Sequence, residues 1–173
     1  MWYLCGLGSN IAPEHNLPQA VARLARLFGR VSLSPVVRTA PQGMASDNSF
    51  LNALAVFQSD LPPDRVKQHL NELEESLGRD RSDPDSSVRD RPIDVDILES
   101  RDRPGFSGQA ITEDYYRRLL AGEAVRGEPL VLDGRPLGEA PATVDWNQGA
   151  GDEIVVQQGD NLLYHAVKTA LPG

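Results

Sequence analysis

Within Arg91-Pro92-Ile93-Asp94-Val95-Asp96-Ile97-Leu98, two carboxylates stand two positions apart among branched apolar residues. Side chains alternate across a strand, so an extended backbone sends Asp94 and Asp96 to one face and Ile93, Val95 and Ile97 to the other. At strand rise the two carboxylates lie about 6–7 Å apart. They repel one another, and partial burial makes ionising both of them costly. A divalent cation removes that cost, and hard oxygen ligands suit Mg²⁺, which takes a few carboxylates together with phosphate oxygens. The same pair also suits a strand whose polar side faces solvent, although aspartate is disfavoured in strands and two in one short strand are unusual.

Arginines gather around this strand. Arg79 and Arg81 precede it at some distance, and Arg89 and Arg91 lead directly into it. Guanidinium groups converging near a Mg²⁺ site are what a polyphosphate needs, because each can clamp phosphate oxygens through two parallel hydrogen bonds. The competing reading is a solvated loop in which some of these arginines pair with Asp80, Asp83, Asp85 and Asp90. Other chemistries are excluded more firmly. Lys67 and Lys168 are the only lysines, and no G-x-x-x-x-G-K-[ST] occurs, so a P-loop is ruled out. Gly6-Leu7-Gly8-Ser9-Asn10 lacks the third glycine of the dinucleotide fingerprint and reads as a tight turn. His15, His69 and His165 are widely spaced beside a single cysteine, which argues against a zinc site. There is no G-x-S-x-G elbow. Cys5, in an apolar stretch, reads as a small buried hydrophobe, and Trp2 and Trp146 as packing residues.

The elements that would carry these residues can be read from periodicity. Trp2 to Cys5 is a strand running into the glycine turn. Asn16 can cap a helix that presents Leu17, Val21, Leu24, Leu27 and Phe28 on one face and stops at Gly29. Val31 to Arg38 is a second strand, followed by a loop over Thr39–Asn48, and Phe50 to Phe57 is a third. Pro62 and Pro63 open a helix with Val66, Leu70, Leu73 and Leu77 inward, closed by Gly78. Ile93 to Leu98 is the fourth strand. This β-α-β-β-α-β order predicts an α+β, ferredoxin-like core with helices packed on a largely antiparallel sheet. A C-terminal extension follows, with helix at Tyr115–Leu120, strand at Glu153–Val156, a capped helix at Asp160–Lys168, and an extended loop or insertion over Gly127–Gly151.

Composition sets the outer bounds. With 173 residues, 40% hydrophobic and 24% charged, the chain has the apolar mass of an ordinary globular protein. The net charge of −8 argues against a general nucleic-acid binder. No apolar run reaches the roughly 18 residues of a membrane span, and no basic segment marks a signal peptide at the N-terminus. The expectation is a single domain over 1–173, cytoplasmic and monomeric, with no nucleic-acid or membrane partner.

Five segments in order carry a family resemblance: Gly6-Leu7-Gly8-Ser9-Asn10, Arg38-Thr39-Ala40-Pro41-Gln42-Gly43, Phe50-Leu51-Asn52-Ala53, Glu74-Glu75-Ser76-Leu77-Gly78-Arg79-Asp80-Arg81, and the aspartate strand. Together they resemble the 6-hydroxymethyl-7,8-dihydropterin pyrophosphokinases of folate biosynthesis. The resemblance covers about the first hundred residues and leaves 101–173 as a divergent part. It implies a transferase with ATP and a pterin as its small-molecule partners. Asp94 and Asp96 would hold two Mg²⁺ ions with ATP. Asn52 would bond the pterin, with Phe50 against the same pocket and Thr39, Ala40 and Gln42 lining it. Glu74, Arg79, Arg81 and Arg91 would serve the nucleotide, Arg81 and Arg91 catalytically. The loops Thr39–Asn48 and Asp80–Asp90 would close over both substrates. The chain also departs from the family pattern: Val88 stands where an aromatic often stacks on the pterin, Arg89-Asp90 replaces a Gly- or Ala-containing pair, and no Pro-His step follows Leu98. These departures imply weaker pterin binding than the family norm or a different ligand. The alternatives are a paralogue acting on another small heterocyclic alcohol and a non-catalytic binding protein on the same scaffold.

Overall fold

The computed structural model describes residues 1–41, 48–80, 82, 90–103, 105–147, 149 and 151–159. Strand β1 (Trp2–Ser9) leads to helix α1 (Pro13–Phe28), then β2 (Arg30–Leu33), β3 (Val37–Thr39) and β4 (Phe50–Gln58). Helix α2 (Pro63–Ser76) and β5 (Asp94–Arg101) complete the first half. The second half holds α3 (Asp114–Leu120), a small hairpin of β6 (Leu130–Leu132) and β7 (Arg135–Leu137), and β8 (Ala142–Asn147) with β9 (Glu153–Gln158). The main sheet runs β5-β1-β4-β2-β8-β9, with β3 also on β4, and its strand pairs are antiparallel. Its first four strands have the ferredoxin-like order expected. No helix among the described residues is long and apolar enough to cross a membrane.

The alternation along β1 decides what each face does. Tyr3, Cys5 and Leu7 join the main core under α1 and α2, together with Leu17, Val21, Leu24, Val66 and Leu70. Leu4 faces the other way, against Leu54, Val56, Phe106, Ile111 and Tyr116. The sheet is therefore covered by α1 and α2 on one side and partly by α3 on the other. Several expected boundaries are corrected. The Gly6–Ser9 segment is not a turn but the second half of β1, paired with β4 throughout and with β5 as far as Gly8. Asn16 does not cap α1. The helix starts at Pro13, and the Asn16 side chain donates to the Ile11 carbonyl at 2.6 Å. Leu27 is exposed rather than in the core. The expected strand Val31–Arg38 breaks at Ser34-Pro35, because proline has no N–H for a ladder. Instead the Ser34 hydroxyl accepts the Leu54 N–H at 2.8 Å. The stretch Gly127–Gly151 is no loop. It supplies the β6–β7 hairpin, which packs Leu130, Leu132 and Leu137 into the main core, and β8, which extends the main sheet. The expected helix at Asp160–Lys168 lies outside the described residues.

Candidate active site

The site face of the sheet is the one that carries Gly6, Gly8, Asn52, Asp94 and Asp96. Register places Gly8 between Asn52 of β4 and Asp94 of β5, and Gly6 between Leu54 and Asp96. Neither glycine is needed for a turn. Both are needed for space. A β-carbon on Gly6 would stand 2.8 Å from the Tyr116 ring, and one on Gly8 would stand 3.0 Å from Asn52 Oδ1. Tyr116 thus packs closely over Gly6 of β1, where its hydroxyl donates to the Leu7 carbonyl at 2.9 Å. Burial, and then the neighbouring Tyr115, Asp94, Asp96 and Glu113, raise its pKa well above the ordinary phenol value and keep it a donor.

Beside Tyr116 opens a cavity of about 240 Å³. It brings together Thr39, Ala40, Phe50, Asn52, Arg91, Asp94 and Asp96, all expected at the site, with Gly8, Leu98, Glu113, Tyr115 and Tyr116. Asn52, 3% exposed, donates from Nδ2 to the Thr39 hydroxyl at 2.6 Å, so one of its functions is to fix that pair across β3 and β4. The Arg91 guanidinium sits 5.5 Å over the Phe50 ring, a cation–π contact. Gln42 and Arg81 lie outside the described residues, as do most of the two loops expected to close over the substrates.

The aspartate strand keeps its expected alternation. Ile93 and Val95 are buried in the helix-side core, and Asp94 and Asp96 share the cavity. Their charges are not independent. Burial pushes the Asp94 carboxyl up, but the hydrogen bond shared with Asp96, the bond from Arg79 and the positive charge of Arg91 outweigh it and hold Asp94 below the usual carboxylate range. Asp96, exposed at the surface but partly desolvated by the cavity walls, moves the other way, to about 7, because that desolvation, the Asp94 charge and the shared hydrogen bond, and then Glu74, all disfavour its ionisation. The two opposed shifts mark a close pair of negative charges that a cation would relieve.

Glu74 and Arg79, expected at the nucleotide, do not line this cavity. Glu74 is fully buried, accepting from Arg79 Nη1 and, at 3.3 Å, from the Val95 N–H. The same Arg79 Nη1 donates to Asp94 Oδ1 at 2.6 Å. The chain Glu74–Arg79–Asp94 therefore supports the site from beneath. Among the described residues no group of three or more His, Cys, Asp or Glu could hold a metal by itself. The donor set is two carboxylate side chains, hard oxygen ligands that fit Mg²⁺ when a phosphate completes the coordination.

Sequence reasoning missed Tyr116, Glu113 and Leu98 as wall residues. The available signal was the spacing of Gly6 and Gly8 on one strand face, which announces something packed close above. Asn10, 3% exposed, was also missed; its backbone and side chain bond the Asp90–Arg91 segment.

Fold and site together define a ferredoxin-like protein that offers a small polar cavity with an aspartate pair suited to a cation. The sequence model of the 7,8-dihydro-6-hydroxymethylpterin-pyrophosphokinase (HPPK) family matches residues 4–115. The chain belongs to that family. It is 35% identical over 94 residues to the 2-amino-4-hydroxy-6-hydroxymethyldihydropteridine pyrophosphokinases of two strains of Porphyromonas gingivalis. That alignment covers 53% of this chain and 64% of each relative, so the chain spans less than two thirds of the length of the relatives it matches. The family match takes in nearly the whole cavity wall and ends at Tyr115, one residue before Tyr116.

Proposed function

We propose that this chain transfers the terminal diphosphate of ATP to the hydroxymethyl group of 6-hydroxymethyl-7,8-dihydropterin, releasing AMP. The observation that carries the reading is that one cavity holds both halves of the required chemistry: the Asp94–Asp96 pair, and the Asn52–Thr39–Phe50 wall. Asp94 and Asp96 would hold Mg²⁺, two ions once the nucleotide is bound. When present, the metal neutralises phosphate charge and orients the reacting oxygens. Arg79 keeps Asp94 ionised and fixed in direction, and Glu74 fixes Arg79, so both are positioning residues. Arg91 clamps phosphate oxygens from the cavity rim, with Arg81 as a second clamp.

Asn52 presents an amide with both donor and acceptor, which suits the alternating edge of a pterin ring. Phe50 offers its face to the ring. Leu98, Tyr115 and Tyr116 complete the cavity wall and help exclude water. The pterin hydroxyl oxygen forms a bond to the β-phosphorus of ATP as the bond from that phosphorus to the oxygen bridging the α-phosphorus breaks; the electron pair stays on that oxygen of departing AMP, and the hydroxyl proton is released to solvent. No protein nucleophile is required, and the protein supplies orientation and charge stabilisation. The test is incubation with ATP, Mg²⁺ and the dihydropterin, followed by nucleotide chromatography. The reading requires AMP that depends on both pterin and Mg²⁺. Formation of ADP instead, or pterin-independent nucleotide loss, would overturn it.

A further inference from the structure

We propose that Asp90 is a positioning residue: its carboxylate ties the end of β1 to the approaches of β4 and β5 and thereby sets Arg91 against the cavity. The inference rests on the function proposed above. Asp90 Oδ1 accepts from Asn10 Nδ2, and Asp90 Oδ2 accepts from Asn48 Nδ2, each at 2.8 Å. Asn10 follows β1, Asn48 stands two residues before β4, and Asp90 precedes β5, so one carboxylate joins three separate approaches to the site. Asn10 completes the arrangement. Its Oδ1 accepts the Arg91 N–H at 2.7 Å, and its own N–H donates to the Arg91 carbonyl at 3.2 Å. The backbone of Arg91 is thus held on both sides by one buried asparagine, whose side-chain amide is in turn held by Asp90. From that fixed backbone the guanidinium reaches over Phe50, itself just beyond Asn48.

The chemistry of the tie is specific. A carboxylate is acceptor-only and can serve two amide donors at once. Asn10 cannot turn its amide over without surrendering the Arg91 N–H, so its orientation is fixed. Asn48 is exposed and is the replaceable partner. An Asn48→Asp substitution sets two carboxylates against each other and opens the tie. Adding Asp90→Asn restores it with donor and acceptor exchanged: the new amide accepts from Asn10 and donates to position 48.

The experiment compares wild type, Asn48→Asp, Asp90→Ala and the Asn48→Asp/Asp90→Asn pair by two readouts. Hydrogen exchange at the Arg91 and Asn10 amides needs no substrate, and kcat/KM for ATP reads the consequence for turnover. Asn48→Asp and Asp90→Ala should each accelerate exchange and lower kcat/KM by about tenfold, and the reciprocal pair should recover most of both, as expected for partners in one network. Unchanged exchange in both single variants, or no recovery in the pair, would overturn the tie. Faster exchange with wild-type kcat/KM would overturn its part in the reaction. A wild-type protein that makes no AMP would overturn the proposed function and the catalytic half of this inference, while the exchange measurements would still decide whether the tie exists.

Discussion

Replacing Arg79 by methionine removes the cation that serves two acids at once. Glu74 is fully buried, and the Arg79 side chain is only 7% exposed. Removing one partner of such a pair leaves a buried charge uncompensated, which costs about 3–5 kcal/mol. For a chain of this size, each kcal/mol moves the melting temperature by roughly 2–4 °C, so the loss should be about 6–20 °C. The second acid suffers as well. Asp94 loses the 2.6 Å bond and the charge that help hold its pKa low, so its carboxyl should rise. Urea unfolding at pH 7.5 measures the stability term directly. The control is Glu74→Leu/Arg79→Met, which replaces the pair by apolar side chains of similar size and should recover at least half of the lost stability. A loss below about 1 kcal/mol in the single variant is what a solvent-exposed pair would give, and would refute the claim that this network is buried support.

Other expectations follow from the same geometry. Gly6→Ala drives a β-carbon to 2.8 Å from the Tyr116 ring, so the ring must shift and strain its bond to the Leu7 carbonyl. A stability loss of about 1–3 kcal/mol with lower kcat/KM is expected from denaturation and kinetics, and a silent variant would contradict the placement of Tyr116. The pH dependence of metal binding has a fixed sign. With the Asp96 carboxyl pushed up to about 7, it must lose its proton to bind, so Mn²⁺ affinity with an ATP analogue should rise about tenfold from pH 6 to pH 8 by calorimetry. Because an unfolded aspartate titrates near 4, this raised group contributes stability that is fully present below about pH 4 and is lost as pH rises through 7. Asp96→Asn should abolish turnover at any Mg²⁺ concentration and remove the Asp96 part of that pH-dependent loss in a thermal melt. Asn52→Ala should weaken pterin binding measured beside a non-hydrolysable ATP analogue, and equal binding would leave Asn52 as the Thr39 partner alone.

The parts of the molecule legible in the sequence are those whose signal is local. The alternation of Ile93 and Val95 with Asp94 and Asp96 gives the strand, its faces and the acid pair without any neighbour. Pro63 and Gly29 mark helix ends through backbone chemistry alone. Illegible features depend on groups distant in the chain. Gly6 and Gly8 read as a turn because the groups that fill their empty space are distant in the chain: the Tyr116 ring over Gly6, and the Asn52 side chain over Gly8. The burial of Glu74 against Arg79 is likewise invisible in the sequence, because it is set by how α2 meets β5. The β8 strand was obscured for another reason: a segment rich in glycine, proline and acids resembles a loop until β2 provides an edge to pair with, whereas β9 shows its own apolar run at Ile154–Val156 and was legible as a strand.

The most direct test of the central claim is a crystal soaked with Mn²⁺, a non-hydrolysable ATP analogue and the hydroxymethylpterin, read by anomalous scattering. The account predicts manganese bound to carboxylate oxygens of both Asp94 and Asp96, with phosphate oxygens completing its coordination and the pterin edge on Asn52. Manganese and nucleotide ordered elsewhere on the molecule, with the aspartate pair bare, would contradict it.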